Sequence, residues 1–432
     1  MVNDPLGFFS TARWTAGVVG LGYVGLPLLV TVTQADLGAI GFDTSAERVR
    51  SLFGGQSGVD DVSAGDLAEA LAGGASLTTE PSDLRDADAL FICVPSPLGR
   101  NRQPDLSYLE AAFATIEQVA RPGQLISLES TSYPGTTEDF IVPALQRAGL
   151  RVDEDVFVAF SPERVSPGSG MGTKDIPKVV GGVTALSGQV AAAAYGRLVT
   201  SVQLVSSARV AEMSKLLENT YRAVNIGLVN EMAQLAHELD IDIWEVIDAA
   251  ATKPFGYQAF YPGPGVGGHC IPLDPQYLAW RAKAANFTTR FIDTAEEINA
   301  HMPAYTVARI TELLNQRGLP VSGAEVLALG IAYKPDIADD RESAALDVLG
   351  KLKDRGARIT VLDELVGTAR VKLHGYEAIA EQGDFRSFDI AIVLTDHDSV
   401  DYAAVARQVP LVFDTRRVFR RIGVSQENVV SL

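Results

Sequence analysis

Short apolar runs alternate with longer stretches of helical periodicity over the first 207 residues of this 432-residue chain. Buried strands of a parallel sheet are nearly continuous apolar runs, and strands that alternate with helices form such a sheet. The pattern therefore predicts an α/β domain with a doubly wound parallel sheet and helices such as 106–120. The predicted strands are a run that ends before Gly20 and residues 39–42, 89–94, 125–128, 156–160, 179–182 and 202–205.

The pattern changes at residue 208, where about thirty residues without an internal proline follow a helical period. At 1.5 Å per residue, a helix over 208–239 would be about 45 Å long. We expect its apolar stripe to be buried in part against a second copy of the chain, so that the protein is a homodimer. The stripe includes Met213, Leu217, Val224, Leu228 and Met232.

A further helix is predicted over 275–300, and the segment 317–320 separates it from a second α/β region. There we predict strands at 325–328, 359–362, 388–394 and 411–413 and a helix at 344–355. The predicted fold is therefore α/β, with two Rossmann-like doubly wound parallel-sheet domains joined by a long-helix central domain. The predicted domain boundaries are 1–207, 208–317 and 318–432.

Composition narrows the class of protein and of partner. The chain has 54 acidic and 36 basic residues and a formal net charge of −18, which disfavours binding to nucleic acid or to an anionic membrane. Two cysteines cannot form a disulfide framework, so we expect a cytoplasmic protein. The first fifteen residues contain Asp4, and glycines interrupt the next apolar run, so neither a signal peptide nor a membrane span is predicted. The five histidines lack ligand spacing, and no metal site is expected.

The first strand leads into the sequence GLGYVG, followed by a helix, a second strand and Asp43. This order is the fingerprint of a dinucleotide-binding unit. Gly20 would allow the tight turn, Gly22 the approach of a pyrophosphate, and Gly25 the packing of helix on strand. A carboxylate at Asp43 would bind the adenosine ribose and disfavour a 2′-phosphate, which indicates NAD rather than NADP. The alternative is an ordinary glycine turn with Asp43 as a cap.

Three later strands of the same sheet end in polar loops, at 93–97, 129–131 and 161–164. Ligands of doubly wound sheets bind at the carboxyl ends of the strands. Each loop alone is compatible with ordinary turn chemistry, but three loops at one edge indicate a site. Cys93 ends a buried strand and is predicted to be structural. The predicted cofactor-binding residues are Gly20, Leu21, Gly22, Tyr23, Val24, Gly25, Asp43, Arg48, Pro95, Ser96, Ser130 and Thr131.

The other cysteine, Cys270, lies in the sequence GPGVGGHCIPLDP, residues 263–275, which we call the cysteine loop. Its four glycines and three prolines fix an irregular backbone. A lone cysteine is usually an inert core residue. A cysteine in a loop shaped to approach a ligand is better explained by thiol chemistry.

Two pairs of residues have alternative interpretations on spacing alone. Lys215 and Asn219 lie four residues apart and project from one side of the long helix, but a solvated lysine beside an amide is the plainer interpretation. Lys334 and Arg341 are cations in an acidic region that would face a pyrophosphate, or they are surface charges.

Six motifs closely resemble, in order and over essentially the whole chain, those of the UDP-glucose/GDP-mannose dehydrogenase family. They are GLGYVGLP at 20–27, STSYPGTT at 130–137, SPERVSPG at 161–168, KLLEN at 215–219, GVGGHCIPLDP at 265–275 and YKPDIADDRES at 333–343. The resemblance implies an NAD-binding first domain, a central dimerisation domain and a third domain that binds most of a UDP-sugar. Several of these motifs look like those of the branch of the family that acts on UDP-N-acetylhexosamines, and UDP-N-acetylglucosamine is the expected substrate.

Matched position by position, the motifs imply roles for individual residues. The implied catalytic residues are Cys270, Lys215, Asn219, Asp274, Thr131 and Glu163. The implied substrate-binding residues are Glu163, Arg164, Lys215, Asn219, Tyr261, Gly263, Gly267, Gly268, Lys334 and Arg341. Relatives specific for UDP-glucose have glutamate at Pro167 and lysine at Leu273, and usually threonine at Ser96. The first two differences weaken a UDP-glucose assignment.

The expected reaction is an oxidation of the sugar C6 alcohol to the carboxylate in two hydride transfers, since one transfer would stop at the aldehyde. Lys215, directly or through a water held by Thr131 and Asp274, would remove the hydroxyl proton. Cys270 would then add to the aldehyde, and the second oxidation would leave a thioester.

Water activated by Asp274, with Glu163, would hydrolyse the thioester, and Lys215 and Asn219 would stabilise the oxyanions. The glycines at 267 and 268 would let the sugar C6 approach the sulfur. Other substrates, namely UDP-glucose, UDP-N-acetylmannosamine or GDP-mannose, stay open. So do a two-electron dehydrogenase of the β-hydroxyacid type and a non-catalytic nucleotide-sugar binding protein.

Overall fold

The structure of the chain is a computed structural model that describes residues 4–59, 61–99, 103–165, 173–380 and 382–432. The chain divides into two compact units. The first unit contains Met1–Glu218 and Gln276–Phe287, and the second contains Asn219–Pro275 and Thr288–Leu432. Among the described residues, no helix combines the length and the apolar character needed to cross a lipid bilayer.

The first unit contains an eight-stranded sheet in the order β3-β2-β1-β4-β5-β6-β7-β8. Its strands are β1 Thr15–Val19, β2 Gly38–Phe42, β3 Ser76–Thr78, β4 Ala89–Ile92, β5 Leu125–Leu128, β6 Phe157–Phe160, β7 Lys178–Gly182 and β8 Val202–Val205. The pairs from β3 to β6 are parallel, as predicted. β7 runs antiparallel to β6 and pairs in parallel with β8, so the sheet is mixed at this end.

Every residue of β4, β5 and β6 is buried, which is why these strands are continuous apolar runs in the sequence. Successive side chains point to opposite faces, so Phe91 enters one apolar core while Leu90 and Ile92 enter the other. The predicted strand 89–94 ends at Ile92, because the polar edge loop begins immediately after it.

Helices cover the strands of this unit. They are α1 Pro5–Thr11, α2 Gly25–Gln34, α3 Ala46–Phe53, α4 Ala64–Ala72, α5 Ser107–Val119, α6 Val142–Arg147 and α7 Ala185–Tyr195, with 3-10 turns at Pro81–Asp86 and Thr173–Asp175 and a π-helical turn at Thr137–Ile141. The first fifteen residues, which the sequence left without a role, are anchored by buried Phe9 and Trp14. The Trp14 indole nitrogen donates to the carbonyl of Phe9 at 3.1 Å.

The long helix is α8, Ala208–Glu238, in close agreement with the predicted 208–239. The prediction of one helix over 275–300 is wrong, because two helices occupy this stretch, α10 Asp274–Ala284 and α11 Arg290–Gln316. Asn286 between them has a left-handed backbone, with φ of 55°, which no α-helix continues through. α9, Ile243–Ala251, lies between α8 and the cysteine loop in the chain.

The second unit contains a six-stranded, wholly parallel sheet in the order β11-β10-β9-β12-β13-β14. Its strands are β9 Glu325–Leu329, β10 Arg358–Leu362, β11 Glu377–Ile379, β12 Ile390–Val393, β13 Val412–Asp414 and β14 Val429–Ser431, and its further helices are α12 Ala344–Asp354, α13 Thr368–Leu373, α14 Tyr402–Gln408 and α15 Val418–Arg421.

The second sheet repeats the first sheet's opening turn without its glycine pattern. Asp43 accepts a hydrogen bond from the N–H of Leu21 at 3.0 Å, and Asp363 accepts one from the N–H of Ile331 at 2.7 Å. Unlike Asp43, Asp363 is buried and lies 3.2 Å from the Nε2 of His397. The acidic residue of this second turn is therefore used within the fold.

Candidate active site

The glycine turn at the end of β1 has the close packing that a dinucleotide site requires. Gly20 has a φ of 94°, and a Cβ atom there would lie 2.8 Å from the carbonyl oxygen of Cys93. A Cβ on Gly25 would lie 1.9 Å from the carbonyl oxygen of Gly20. No atom lies within 4 Å of a Cβ built on Gly22. The turn is thus packed tightly at its two ends and open in the middle, where a pyrophosphate would approach.

Asp43 and Arg48 hold the backbone of this turn through hydrogen bonds. The two Asp43 oxygens accept hydrogen bonds from the N–H groups of Leu21 and Ser45, at 3.0 and 2.9 Å. The Nε and one terminal nitrogen of Arg48 donate to the carbonyl oxygen of Leu21 at 2.9 and 2.7 Å. Burial lowers the pKa of Arg48, against the charge of Asp43, which raises it. Arg48 and Leu21, both predicted to bind the cofactor, are thus also parts of the turn's own framework.

The polar loops after β4, β5 and β6 lie at one edge of the sheet, because these three strands are adjacent and parallel. Ser130 is buried, and its hydroxyl donates to the carbonyl of Ile92 at 3.2 Å, which joins the loop after β5 to the end of β4. Pro95 is exposed, and Ser96 and Thr131 are partly exposed.

Thr131 and Lys215, from separate elements of the first unit, are in contact: the Nζ of Lys215 donates to the Thr131 hydroxyl. Lys215 is buried. One turn earlier on α8, buried Glu212 accepts hydrogen bonds from the N–H of Gly135 at 2.5 Å and from the N–H and hydroxyl of Thr137 at 2.9 and 2.7 Å. Burial raises the pKa of Glu212 to about 7. This carboxyl group ties the loop that carries Thr131 to the helix that carries Lys215.

Glu163 and Arg164, at the end of β6, have different surroundings. The Glu163 carboxylate is held by Lys178 and by two backbone N–H groups. Arg164 forms a two-pronged ion pair with Glu218, at 2.6 and 3.1 Å, so its guanidinium is already neutralised within the protein. Pro167, one of the positions that separate the sugar specificities, lies outside the described residues.

Within the second unit, the cysteine loop is connected to α8 through Asp274. Cys270 is exposed. Its carbonyl accepts a hydrogen bond at 2.9 Å from the N–H of Asp274, the first residue of α10. The Asp274 carboxylate is buried and accepts from the Nδ2 of Asn219 at 2.6 Å. Three of the predicted catalytic residues, Cys270, Asp274 and Asn219, are therefore brought together. Lys215 lies one turn before Asn219 on the same helix.

The glycines of the cysteine loop have neighbours that the sequence did not predict. A Cβ on Gly267 would lie 2.6 Å from the carbonyl oxygen of Glu342, and one on Gly268 would lie 2.8 Å from the ring of Tyr333. The lack of a side chain at these two positions makes room for the 333–342 segment of the same unit. The prediction was instead that it would let a sugar approach the sulfur. Their predicted role in substrate binding stays a prediction.

Tyr261 lies two residues before the cysteine loop, and Gly263 is the first residue of that loop. The Tyr261 ring stacks on Trp244 with centroids 6.0 Å apart, and the Arg417 guanidinium lies 5.8 Å from its centre. The N–H of Gly263 donates to the Oδ1 of buried Asn230 at 3.1 Å. This stretch of loop is therefore held in one conformation before the cysteine is reached.

Lys334 and Arg341 lie on the segment that faces Gly267 and Gly268, and both are partly exposed. Arg341 forms a two-pronged ion pair with Asp339, at 2.8 and 2.6 Å. Burial would raise the pKa of Asp339, but hydrogen bonds from Arg341 lower it below its ordinary value.

The structure adds three residues that sequence reasoning missed, Lys178, Glu212 and Arg416. A Cβ on Gly263 would lie 2.7 Å from a terminal nitrogen of Arg416, so this guanidinium lies against the cysteine loop. The only sequence signals were a lysine at the start of an apolar run, a glutamate one turn before Lys215 and an arginine after a strand. Each is common in proteins, and only tertiary contacts distinguish them.

Family models of three domains match the chain. They are the NAD binding domain over residues 15–199, the central domain over 209–301 and the UDP binding domain over 327–421 of the UDP-glucose/GDP-mannose dehydrogenase family. The open middle of the glycine turn fits the NAD that the first of these domains binds.

Individual relatives agree with these matches. The UDP-N-acetyl-D-glucosamine 6-dehydrogenase of Pseudomonas aeruginosa is 36% identical over 83% of this chain and 84% of its own. The NDP-N-acetyl-D-galactosaminuronic acid dehydrogenase of Ralstonia nicotianae is 34% identical over 93% of this chain and 95% of its own. The solved structure of the UDP-D-ManNAc dehydrogenase of Pyrococcus horikoshii superposes with a TM-score of 0.84 at 31% identity, covering 96% of this chain and 97% of that one. The chain therefore belongs to the UDP-glucose/GDP-mannose dehydrogenase family, and is an NAD-dependent oxidoreductase of nucleotide sugars.

Proposed function

We propose that the protein is an NAD-dependent UDP-N-acetylhexosamine 6-dehydrogenase that oxidises the C6 alcohol to the carboxylate, with UDP-N-acetylglucosamine as the preferred substrate. The observation that carries the proposal is the position of Cys270, an exposed thiol at the turn that leads into Asp274, whose carboxylate is bonded to Asn219. A two-electron dehydrogenase needs no such nucleophile. A second oxidation at the same carbon gives such a nucleophile a role, because a covalent bond to the thiol keeps the aldehyde in the site.

In the first step, Lys215 takes the proton of the C6 hydroxyl, directly or through a water held by Thr131 and Asp274. The contact between the Lys215 Nζ and the Thr131 hydroxyl supports this role, because the hydroxyl fixes the position of the nitrogen that takes the proton. Bound NAD supplies the acceptor for each hydride, and two molecules are used in turn.

In the second step, the Cys270 thiolate forms a bond to the aldehyde carbon, and the carbonyl oxygen takes the proton that Lys215 accepted in the first step and becomes a thiohemiacetal hydroxyl. Loss of the second hydride with its electron pair, and of the hydroxyl proton, leaves a thioester. Water then adds to the thioester carbon and the thiolate leaves. Summed over the sequence, one alcohol, one water and two NAD give one carboxylate, two NADH and three protons.

Asp274 is proposed to take a proton from the hydrolytic water, with Glu163 as a second hydrogen-bond acceptor for that water. Lys215 and Asn219 are proposed to stabilise the oxyanions that form when the thiolate and the water add to carbon. Asn219 suits this role because its amide donates to Asp274 at 2.6 Å, which fixes the orientation of its side chain.

The UDP moiety is proposed to contact Lys334 and Arg341, with Tyr261, Gly263, Gly267 and Gly268 next to the sugar. The family's UDP binding domain matches the region that holds both cations. A further cation, Arg416, lies against Gly263.

The assignment of the sugar rests on sequence differences from relatives that act on UDP-glucose, among which Leu273 lies in the cysteine loop. Its test is a panel of UDP-N-acetylglucosamine, UDP-N-acetylgalactosamine, UDP-N-acetylmannosamine and UDP-glucose at saturating NAD. The highest kcat/KM is expected for UDP-N-acetylglucosamine. A higher value for another sugar would replace the substrate and keep the mechanism.

The test of the nucleophile is Cys270→Ala. This variant is expected to bind NAD as the wild type does, measured by quenching of protein fluorescence, and to lose net oxidation to the carboxylate. Cys93→Ala is the matched control, because Cys93 is buried. Full activity of Cys270→Ala would exclude Cys270 as the nucleophile.

We also propose that the protein is a homodimer that pairs through α8. Apolar side chains at helical spacing are exposed along α8 in the single chain, namely Val210, Met213, Leu217, Tyr221, Leu228 and Leu235, and Leu239 follows directly after the helix. A continuous apolar stripe of this length is typical of a surface that a partner covers. In sedimentation velocity we expect twice the chain mass, and the chain mass for Leu217→Glu combined with Leu228→Glu. Glu231→Gln on the same helix serves as the control.

The proposed three-domain division, with boundaries near 207 and 317, places NAD in the first domain and the UDP-sugar largely in the third. We propose the cytoplasm as the compartment, because the thiol chemistry of Cys270 requires reducing conditions.

A further inference from the structure

Two buried charged residues, Lys178 and Glu129, lie directly behind Glu163. The Nζ of Lys178, the first residue of β7, is 2.7 Å from the Oε2 of Glu129 and 3.1 Å from the Oε2 of Glu163. The Lys178 side chain is 5% exposed, that of Glu129 is fully buried and that of Glu163 is 14% exposed. One ammonium group is thus shared by two carboxylates, and only Glu163 reaches the surface of the site.

The two carboxylates have different further partners. The Oε1 of Glu163 accepts from the backbone N–H groups of Arg164 and Val165, each at 2.7 Å. The Oε1 of Glu129 accepts from the hydroxyl of Tyr195 at 2.7 Å. A carboxylate has about four acceptor positions. Three N–H donors occupy three of those of Glu163, which leaves about one for a molecule in the site.

Other titratable and charged groups surround this cluster. Cys93 and Tyr195 are buried next to it, and burial raises the pKa of each. Arg164 is paired with Glu218 and makes no ion pair with Glu163 among the described contacts. Lys178 is therefore the cation that offsets the charge of Glu163. A buried carboxylate without such a partner would bind a proton instead.

We propose that Lys178 is a positioning residue of the reaction: it keeps Glu163 ionised and in one orientation, so that the carboxylate accepts a hydrogen bond from the hydrolytic water. This inference rests on the proposed function, which gives Glu163 its part in thioester hydrolysis. Glu163 then acts as a fixed acceptor, and Glu129 holds Lys178 in place from the other side.

The directions of the pKa shifts agree with this arrangement. Burial would raise the pKa of Glu163, but the charge of Lys178 and the N–H donors bring it below its ordinary value. Burial raises the pKa of Glu129, although Lys178 opposes the shift. Of the two carboxylates, Glu163 is thus the one held firmly in its charged form.

The test must separate positioning from folding, because Lys178→Met alone leaves two buried carboxylates without a cation. The combined variant Lys178→Met with Glu129→Gln removes one positive and one negative charge and leaves Glu163 with its two N–H donors. Lys178→Arg is the conservative variant, and Lys351→Met, at an exposed position, is the control.

The first readout needs no catalysis. In protein labelled with ¹³C at the glutamate carboxyl carbons, the Glu163 resonance is assigned by its loss in Glu163→Gln and titrated against pH. Compared with Glu129→Gln alone, its midpoint is expected to rise by about one pH unit or more in the combined variant, because a cation within 4 to 6 Å is lost while the Glu129 carboxylate is absent from both proteins. It should rise less in Lys178→Arg and stay in place in Lys351→Met. An unchanged midpoint in the combined variant would overturn the proposal.

The second readout is the acid limb of kcat against pH with the best UDP-sugar. The midpoint of this limb is expected to move to higher pH in the combined variant, as the midpoint of the Glu163 resonance does. In a Glu163→Gln background, replacing Lys178 is expected to leave the midpoint of the limb unchanged. A limb that stays in place while the resonance moves would overturn the role in hydrolysis. If the wild type oxidises no UDP-sugar, the proposed function fails, and the carboxyl titration still decides whether Lys178 controls Glu163.

Discussion

Replacing Glu212 by glutamine should change how the stability of the first unit depends on pH. Glu212 is 1% exposed and accepts three hydrogen bonds from Gly135 and Thr137. Burial raises its pKa from the ordinary 4.5 to about 7 in the folded protein. An unfolded chain loses this proton near pH 4.5, whereas the folded chain keeps it until about pH 7.

The direction in which stability changes with pH follows from the number of protons that the folded and unfolded states bind. Between these two pH values the folded state binds more protons than the unfolded state, so the free energy of unfolding falls as pH rises. Each unit of pKa difference corresponds to about 1.4 kcal/mol, which gives roughly 3 kcal/mol in total. The loss is complete above about pH 7. Glutamine does not titrate, and its poorer match to the N–H groups of Gly135 and Thr137 costs the same at every pH.

The assay is urea unfolding of wild type and Glu212→Gln at intervals from pH 4.5 to 8, followed by a probe confined to the first unit, such as the fluorescence of Trp14 with the other tryptophans replaced. The wild type should lose about 3 kcal/mol relative to the variant across this range. For Glu110→Gln, at an exposed position, the free energy of unfolding should change with pH as it does in the wild type. If the free energy of unfolding of Glu212→Gln also changes with pH as in the wild type, Glu212 does not titrate as described.

Two further predictions concern the nucleotide turn and the cysteine loop. Asp43→Asn should lower the ratio of kcat/KM for NAD to that for NADP by about tenfold or more, since it removes a carboxylate that would face the 2′-phosphate; an unchanged ratio would exclude Asp43 as the ribose ligand. Gly268→Ala should lower stability by more than Gly323→Ala, because both glycines have a φ of 85° but only a Cβ on Gly268 would meet a neighbour, the Tyr333 ring, at 2.8 Å. The left-handed backbone alone costs about 1 to 3 kcal/mol, and equal losses in thermal unfolding would mean that the packing against Tyr333 is loose.

The parts of the fold that could be predicted are those in which a local pattern carries the geometry. The turn from Gly20 to Gly25 is one case, because neither Gly20 nor Gly25 has room for a Cβ atom. α8 is another, since an uninterrupted helical period fixes its length. The buried strands β4 and β5 were equally clear, as each residue faces a core.

The parts that could not be predicted depend on contacts distant in sequence. Nothing local shows that β7 runs antiparallel to β6, because both are short apolar runs. The edge strands β3, β11 and β14 have three residues each, too few for a period to appear. Gly267 and Gly268 were predicted to admit a sugar, yet the atoms nearest to them belong to a segment some seventy residues away.

The same distinction applies to the site. Cys270, Asp274 and Asn219 stood out by residue type and motif, and the structure brings them together. Lys178 did not, because a lysine that begins a strand has no signature until its partners Glu129 and Glu163, 49 and 15 residues earlier, are seen beside it.

Counting NADH tests whether one active site carries out two oxidations while Cys270 holds the intermediate. A limiting, known amount of UDP-N-acetylglucosamine is converted to completion with excess NAD, and the absorbance at 340 nm is compared with the sugar consumed. A carbonyl reagent is added in parallel to capture any aldehyde. We expect two NADH per sugar, a uronic acid product and no captured aldehyde. One NADH per sugar, or an aldehyde that accumulates, would exclude two oxidations at one site.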